Sequence, residues 1–481
     1  PYPATAYIKG FLNTIDRAAH QMDLGIEVIL KLFSKEGLES IFSSVDKTDI
    51  KSKNSQRIFN LQKKYVKTID AVIAFLQDKD PTLAYLICQR HYLPEASKFD
   101  QLEDIEWAFG SMGIRDQARH LCTLYLEDIS DFIVENIDSH FGFSRYAERL
   151  SLSAGSFDSI YKSLQADNSI IMNMMLHILQ EKINQVKPKL VCFSIPFPGN
   201  LFGALKCGQW IRQNAPDLKI IFGGGYPNTE LRSVSDKRVF EFVDFISLDD
   251  GETPLLNLLE HINGEREASM LKRTFTLINN EVTYCNGSLH QDIKQALVGT
   301  PDYSDFDLKA YLSVIQIINP MHRFWSDGRW NKLTMAHGCY WGKCTFCDIS
   351  LDYIGNYEAS SAKTIVDRME QLVDQTNERG FHFVDEAAPP ALMKAVALEI
   401  IKRELTVTWW TNIRFEKSFS YDLCRILATS GCVAVSGGLE VASDRLLKLI
   451  AKGVTVEQVA QVNDNFTRAG ILVHAYLMYG F

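Results

Sequence analysis

Between Ser55 and Met175 the apolar residues recur at helical spacing, as in Asp70-Ala-Val-Ile-Ala-Phe-Leu and Leu124-Tyr-Leu-Glu-Asp-Ile-Ser-Asp-Phe-Ile-Val, and no strand-like run interrupts them. The pattern changes at Lys187. Three short, almost continuous apolar runs follow: Lys189–Ile195, Leu218–Phe222 and Phe242–Leu248, with a helix-like stretch from Leu201 to Asn214 between the first two. Such runs alternating with helices predict a parallel α/β sheet. Each run ends in a distinctive loop: Ser194-Ile195-Pro196, then Gly223-Gly224-Gly225 with Pro227, then Asp249-Asp250-Gly251-Glu252. Loops at the carboxyl ends of parallel strands are where ligands bind in such sheets.

After a polar stretch from Gly287 to Ser326 the alternation resumes. Strands are predicted at Lys332–His337, Phe381–Asp385, Val407–Ile413, Val433–Leu439 and Ile471–Tyr479, separated by helical stretches such as Ala362–Val373. This is the rhythm of a β/α barrel. The chain stops at Phe481, straight after a strand, so the expectation is a partial barrel truncated at the C-terminus.

Composition narrows the class. A length of 481 residues favours two or three domains, and 46% apolar with 23% charged residues is ordinary for a soluble globular protein. A net charge of −9 argues against a broad basic surface, so nucleic acid is not an expected partner. No apolar run reaches the roughly 18 residues of a membrane span, and the start lacks the pattern of a signal peptide, so a cytoplasmic location is expected. Ten cysteines are present and only three are bunched, which suggests a reducing compartment and a metal site rather than disulfides. Cys88, Cys122, Cys192, Cys207, Cys285, Cys424 and Cys432 sit mostly in apolar contexts and read as buried small hydrophobes.

The bunched three lie in His337-Gly-Cys339-Tyr-Trp-Gly-Lys-Cys344-Thr-Phe-Cys347. Three thiols in one short loop can wrap a single metal centre, and soft thiolates suit iron–sulfur clusters or zinc. On a four-iron cube three ligands leave one iron open, as chemistry requires. A closed zinc site with His337 as fourth ligand is the alternative. Against it, the loop leaves a barrel strand, and Tyr340, Trp341 and Phe346 suit a cluster shielded from water.

The spacing Cys339-x4-Cys344-x2-Cys347, with an aromatic before the last cysteine, resembles the radical S-adenosylmethionine (SAM) superfamily, although the commonest first gap there is three residues rather than four. The resemblance implies a [4Fe-4S] cluster on Cys339, Cys344 and Cys347, with SAM at the open iron. Later runs extend it. Phe383-Val-Asp385-Glu386 is similar to the family's second strand, whose end faces SAM, and Trp409-Trp-Thr-Asn-Ile-Arg414 to the third. Gly437-Gly-Leu-Glu440, followed by Asp444 and Lys452-Gly453, resembles the fourth, and Tyr476-Leu-Met-Tyr-Gly480-Phe the fifth. Asp385, Glu386, Arg414 and Glu440 thereby become implied SAM contacts. Each also has a plainer reading: helix caps for the carboxylates, a surface ion pair for Arg414.

In front of such a barrel the upstream sheet resembles the cobalamin-binding domain of cobalamin-dependent radical SAM proteins. The resemblance makes Ser194 and Pro196, then Gly223, Gly224 and Gly225, then Gly251 and Glu252, its three cofactor loops. Pro1-Tyr-Pro3 and the helix-like Ala6-Tyr-Ile-Lys-Gly-Phe-Leu resemble its first loop and helix, with Gln21–Glu27 as its second strand and loop. The implied fold is α/β: a Rossmann-like cobalamin-binding domain at 1–50 and 176–295, a helical insertion at 51–175, a linker at 296–330, and a partial (β/α)6-type radical SAM barrel at 331–481. Asp138-Ser-His140-Phe-Gly142 lacks the Asp-x-His-x-x-Gly spacing of a lower-axial histidine, so His140 reads as an ordinary helix residue and no histidine is expected below cobalt. A cofactor-free α/β domain stays open as the alternative.

The combined resemblance implies a radical SAM enzyme, a methyltransferase that uses a 5′-deoxyadenosyl radical and methylcobalamin to methylate an unactivated carbon. Its implied partners are an unidentified small-molecule or peptide substrate and an electron donor such as flavodoxin or ferredoxin. A radical rearrangement or oxidation without methyl transfer uses the same parts. A non-catalytic zinc or iron–sulfur binding or sensor protein is the rival from another class. The helical insertion serves either substrate or partner contact, or packing alone.

Overall fold

The computed structural model describes residues 1–480 except 101, 103–108, 110–112, 144–147, 149–155, 318, 320, 322–323 and 326–328. The apolar runs around 190, 220 and 245 become β1 (Leu190–Ser194), β2 (Lys219–Gly223) and β3 (Phe245–Ser247), parallel to one another. A hairpin, β4 (Thr274–Ile278) and β5 (Glu281–Cys285), extends this sheet antiparallel in the order β1-β2-β3-β4-β5. Its two-residue turn holds Asn279 and Asn280 at φ 53° and 63°, the left-handed pair that a tight hairpin turn demands and that asparagine tolerates. Helix Pro198–Asn214 packs Leu201, Leu205 and Ile211 into one apolar cluster with Ile220, Phe222 and Ile246.

The second sheet carries the barrel strands. Its order is β12-β11-β10-β9-β6, with β6 Asn331–Leu333, β9 Gly380–Phe383, β10 Thr408–Ile413, β11 Cys432–Glu440 and β12 Leu472–Leu477, all parallel. Consecutive parallel strands require crossovers, which helices Ala362–Thr376, Pro390–Lys402, Tyr421–Thr429 and Val456–Arg468 supply. Three of these start on a serine or threonine whose hydroxyl accepts an N–H of the first turn: Ser361, Ser420 and Thr455. Alternation sorts the strand faces. Leu333, Phe381, Phe383, Trp409, Ile413 and Val435 enter one core cluster with residues of the helices, so Lys332, His382, Trp410, Ser436 and His474 turn to the opposite side, the barrel lumen.

Three expectations need correction. The strand expected at Lys332–His337 is broken into β6 and β7 (Ala336–His337), and β7 pairs antiparallel with β8 (Glu358–Ala359). The reason is Asp385, whose carboxylate accepts the N–H groups of Met335 and Ala336 at 3.0 and 2.7 Å in place of a ladder partner. Gln21–Glu27 holds no strand: the Asp23 side chain accepts from Ile26 N–H and starts helix Leu24–Leu32. Its apolar residues pack at helical spacing, which overrides the apparent alternation. His140 lies beyond helix Ile114–Asn136, in a turn closed by the Asp138 side chain accepting His140 N–H at 3.0 Å.

Among the described residues between the first helix and β1, helices pack around a core of Tyr65, Ile69, Val72, Tyr125, Ile129 and Phe132. That core also takes in Leu32, Phe33, Leu38, Ile41 and Ile50, so the helical cluster begins before residue 51. The segment between the sheets is anchored rather than loose. Tyr303 is buried against the barrel helices, and Ser313 N–H reaches Leu76 O at 2.9 Å. Helix Ala4–Thr14 wedges between the sheets, with Ala6 in the barrel core and Ile8 and Leu12 against Leu255 and Leu258. Among the seven scattered cysteines, Cys122, Cys207, Cys285, Cys424 and Cys432 are buried and Cys88 half-buried. Cys192 is exposed, because β1 is an edge strand of its sheet.

Candidate functional site

The cysteine loop springs from β7 and is shaped by glycine. Gly338 holds φ 68°, and a Cβ there would stand 2.4 Å from Asn356 O, so only glycine fits. Cys339 N–H then donates to Ile354 O at 3.0 Å, and Cys347 N–H to Cys344 O at 3.2 Å. The loop's far side is tied to the segment after β11: Thr345 N–H donates to Ile450 O at 3.0 Å and Trp341 Nε1–H to Ala451 O at 3.0 Å. Trp341 packs against Gly453, where an added Cβ would come within 2.2 Å of the indole. Cys344 is buried, Cys339 half-buried and Cys347 exposed. Burial pushes the Cys347 thiol up, and the neighbouring Cys344 and Cys339 push it further.

Two cations close on this loop. Arg414 is 4% exposed. It stacks over Trp341 at 4.2 Å, donates to Lys452 O at 2.6 Å and to Glu416 Oε1 at 2.9 Å, and points Nη1 at Cys344 Sγ, 3.9 Å away. Lys452 Nζ donates to Glu440 Oε1 at 2.5 Å and sits 5.6 Å from the Phe346 ring. Glu440 itself holds φ 65°, an uncommon conformation for a residue with a side chain, at the bulge where the pairing of β11 with β12 slips. Asp385 is 2% exposed and committed to the β6–β7 break; burial pushes its carboxyl up to about 7 against the two N–H donors. Glu386 stands on the rim, where desolvation raises its carboxyl and His337 offsets part of the rise.

This donor set suits a four-iron cluster. The loop supplies three thiols, with Arg414 beside Cys344 and both cations also paired to carboxylates, Arg414 to Glu416 and Lys452 to Glu440. His337 Nε2 faces Asp250 Oδ1 at 3.4 Å. Among the described residues no three His, Cys, Asp or Glu side chains converge on one ion-sized point.

The three loops of the first sheet meet at its carboxyl edge. Ile195 N–H donates to Gly223 O at 2.7 Å, and Tyr226 N–H to Ile195 O at 2.9 Å. Gly224 holds φ 102°, and a Cβ there would crowd Ile195 N at 2.8 Å; one on Gly225 would meet Pro196 O at 2.9 Å. Ser194 Oγ is buried beside them with no hydrogen-bond partner among the described residues. Gly251 rests against Ile8, and Glu252 opens helix Glu252–Ile262. Burial and Asp250 push the Glu252 carboxyl up to about 7. The His337–Asp250 contact brings this edge against the cysteine loop.

Several contacts of this constellation have no signal in the chain: Trp341 with Arg414 and Gly453, and Asp250 with His337, join positions far apart in sequence, and nothing in the motifs singled out Lys332, His382 or Trp410.

Residues 333–481 match the family model of the radical SAM superfamily. The chain carries a radical SAM domain. Such a domain implies a [4Fe-4S] cluster and SAM, and the matched residues include the three clustered cysteines. Over 312 residues, 63% of this chain and 53% of the relative, the chain is 25% identical to the anaerobic magnesium-protoporphyrin IX monomethyl ester cyclase of Rubrivivax gelatinosus. Over 265 residues, 54% of each, it is 22% identical to an uncharacterized methyltransferase of Pyrococcus horikoshii. The chain thus spans about half the length of the curated relatives it matches. Among solved structures, the cobalamin-dependent SAM radical enzyme OxsB with aqua-cobalamin bound superposes with a TM-score of 0.53 at 16% identity, covering 65% of this chain and 44% of that one. At that identity the likeness is one of fold.

Proposed function

We propose that the chain is the core of a cobalamin-dependent radical SAM enzyme that methylates an unactivated carbon. What supports this reading is the contact of the two sites: the carboxyl edge of the first sheet lies against the cysteine loop, through His337 and Asp250. When bound, a reduced [4Fe-4S] cluster with SAM supplies a 5′-deoxyadenosyl radical, and methylcobalamin supplies the methyl group.

Cys339, Cys344 and Cys347 would hold the cluster, with Arg414 beside Cys344. Trp341, pinned between Arg414 and Gly453, holds the loop and covers one side of it from water. Glu440 and Glu386 would meet polar groups of SAM, whereas Asp385 acts through the backbone by fixing the break that launches the loop. Ser194, Pro196, Gly223, Gly224, Gly225, Gly251 and Glu252 would line the cobalamin face; the Gly224 and Gly225 backbone packs close enough on Ile195 and Pro196 to leave a smooth surface. Substrate and electron donor, such as flavodoxin or ferredoxin, would approach from outside this pair of edges.

The test is anaerobic purification and reconstitution with iron and sulfide, then quantification of iron, zinc and cobalamin. Dithionite and SAM are then added and 5′-deoxyadenosine is sought by mass spectrometry. Four irons, bound cobalamin and nucleoside that vanishes in Cys344→Ala are expected. A zinc-loaded protein without SAM cleavage would overturn the reading. Nucleoside without a methylated product would instead favour a radical rearrangement or oxidation.

A further inference from the structure

Arg414 stands one residue past β10, where the alternation that turns Trp410 to the lumen brings it to the barrel mouth beside the cysteine loop. A guanidinium at 4% exposure is costly unless it is hydrogen-bonded, and this one is held from several sides. Nε donates to Glu416 Oε1 at 2.9 Å and Nη2 to Lys452 O at 2.6 Å, while Cζ lies 4.2 Å from the centre of the Trp341 ring. These contacts fix the orientation of a rigid planar fork, and its Nη1 is aimed at Cys344 Sγ, 3.9 Å away.

The three thiols of the loop are not equivalent. Cys344 is buried, Cys339 half-buried and Cys347 exposed, and the arginine N–H goes to the buried one. Bare charge does not single out Arg414, because the Glu416 carboxylate pairs with it at 2.9 Å. A directed N–H beside a sulfur is what remains. Hydrogen bonds to the sulfurs and solvent exposure are among the levers that set the potential of an iron–sulfur cluster. An electron added to the cluster places more negative charge on its sulfurs, so an N–H donor stabilises the reduced state more than the oxidised one. In a dry surrounding that preference is larger than in water.

We propose that Arg414 is a positioning residue that tunes the cluster: through Nη1–H to the Cys344 sulfur it raises the reduction potential and eases entry of one electron from the external donor. This rests on the function proposed above, and it places the residue at the cluster rather than at SAM, since Nε and Nη2 are committed to Glu416 and Lys452.

The experiment is a redox titration of the anaerobically reconstituted protein with dithionite, without SAM, followed by electron paramagnetic resonance of the reduced cluster. Arg414→Met is expected to lower the ratio of reduced to oxidised cluster at a fixed applied potential about ten-fold, which is about 59 mV for one electron. Arg414→Lys keeps the charge but not the fork that reaches carboxylate, carbonyl and sulfur together, and should fall nearly as far. A second measurement needs no variant. With ¹⁵N-labelled arginine incorporated, the electron spin echo of the reduced cluster should carry a coupling to an arginine nitrogen, and Arg414→Met should lack it.

An unchanged potential in Arg414→Met, a potential kept by Arg414→Lys but lost in Arg414→Met, or no arginine coupling in the labelled parent would overturn the proposal. Weaker SAM binding in Arg414→Lys with an unmoved potential would overturn it too, by making the residue a SAM contact. A merely structural arginine would lower iron content and leave the potential of the remaining cluster where it was. Iron is read separately: four irons with no shift sinks the tuning role and leaves the enzyme class, whereas a parent chain that assembles no four-iron cluster sinks both.

Discussion

Glu252 shows how one buried carboxyl makes stability depend on pH. It is 9% exposed at the start of its helix, and burial with the nearby Asp250 pushes it up to about 7 from 4.5. Between those values the folded chain holds a proton that the unfolded chain has released. Stability therefore falls as pH rises through this window and levels off above about 7. The full effect is on the order of 3 kcal/mol. Glu252→Gln removes the titration, so urea denaturation at pH 5 and pH 8 should give a smaller stability difference in the variant than in the parent. An unchanged difference would assign the dependence to other groups, Asp385 first, since burial pushes it up to about 7 as well.

Elements act here by gripping one another's loops. The segment after β11 holds the cysteine loop through Gly453, whose φ of 76° and contact with Trp341 both exclude a side chain. Gly453→Ala should lose about 1–3 kcal/mol through overpacking and lower the iron bound after reconstitution. Gly470 is the control. It also has a positive φ, 83°, yet an added Cβ there meets nothing within 4 Å. Gly470→Ala should cost about 1 kcal/mol of backbone strain without touching iron content. If both variants lost iron alike, the grip of Gly453 on Trp341 would not be what orders the loop.

Across the whole molecule, helix Ala4–Thr14 couples the two sheets. Lys9 is 8% exposed and donates to Asp305 at 2.7 Å, Tyr7 OH accepts Thr334 N–H at 2.9 Å, and Gly10 presses on Thr300, where a Cβ would come within 2.2 Å of the carbonyl oxygen. Gly10→Val should loosen this wedge, so limited proteolysis should cut between residues 286 and 302 faster than in the parent. Unchanged cleavage would mean that the wedge does not hold the sheets together. No helix among the described residues is long and apolar enough to cross a membrane.

The parallel strands and many of the helices were legible in the chain because their determinants are local, whereas the β4–β5 hairpin and β8 were not expected. Fully buried parallel strands read as apolar runs, and capping serines precede the helices they start. The cysteine spacing was legible for the same reason: a loop of nine residues brings its own thiols together. Even local reading failed where a distant group intervened, as when Asp385 broke the strand after Leu333. What only the tertiary structure decided joins residues remote in sequence: Arg414 against Cys344, His337 against Asp250, and the level of Lys332, His382 and Trp410. Sequence periodicity says which face of a strand a residue occupies. Which strands lie side by side, and in what register, is set by packing and backbone pairing across the fold, and that register is what gathers a lysine, a histidine and a tryptophan at one level.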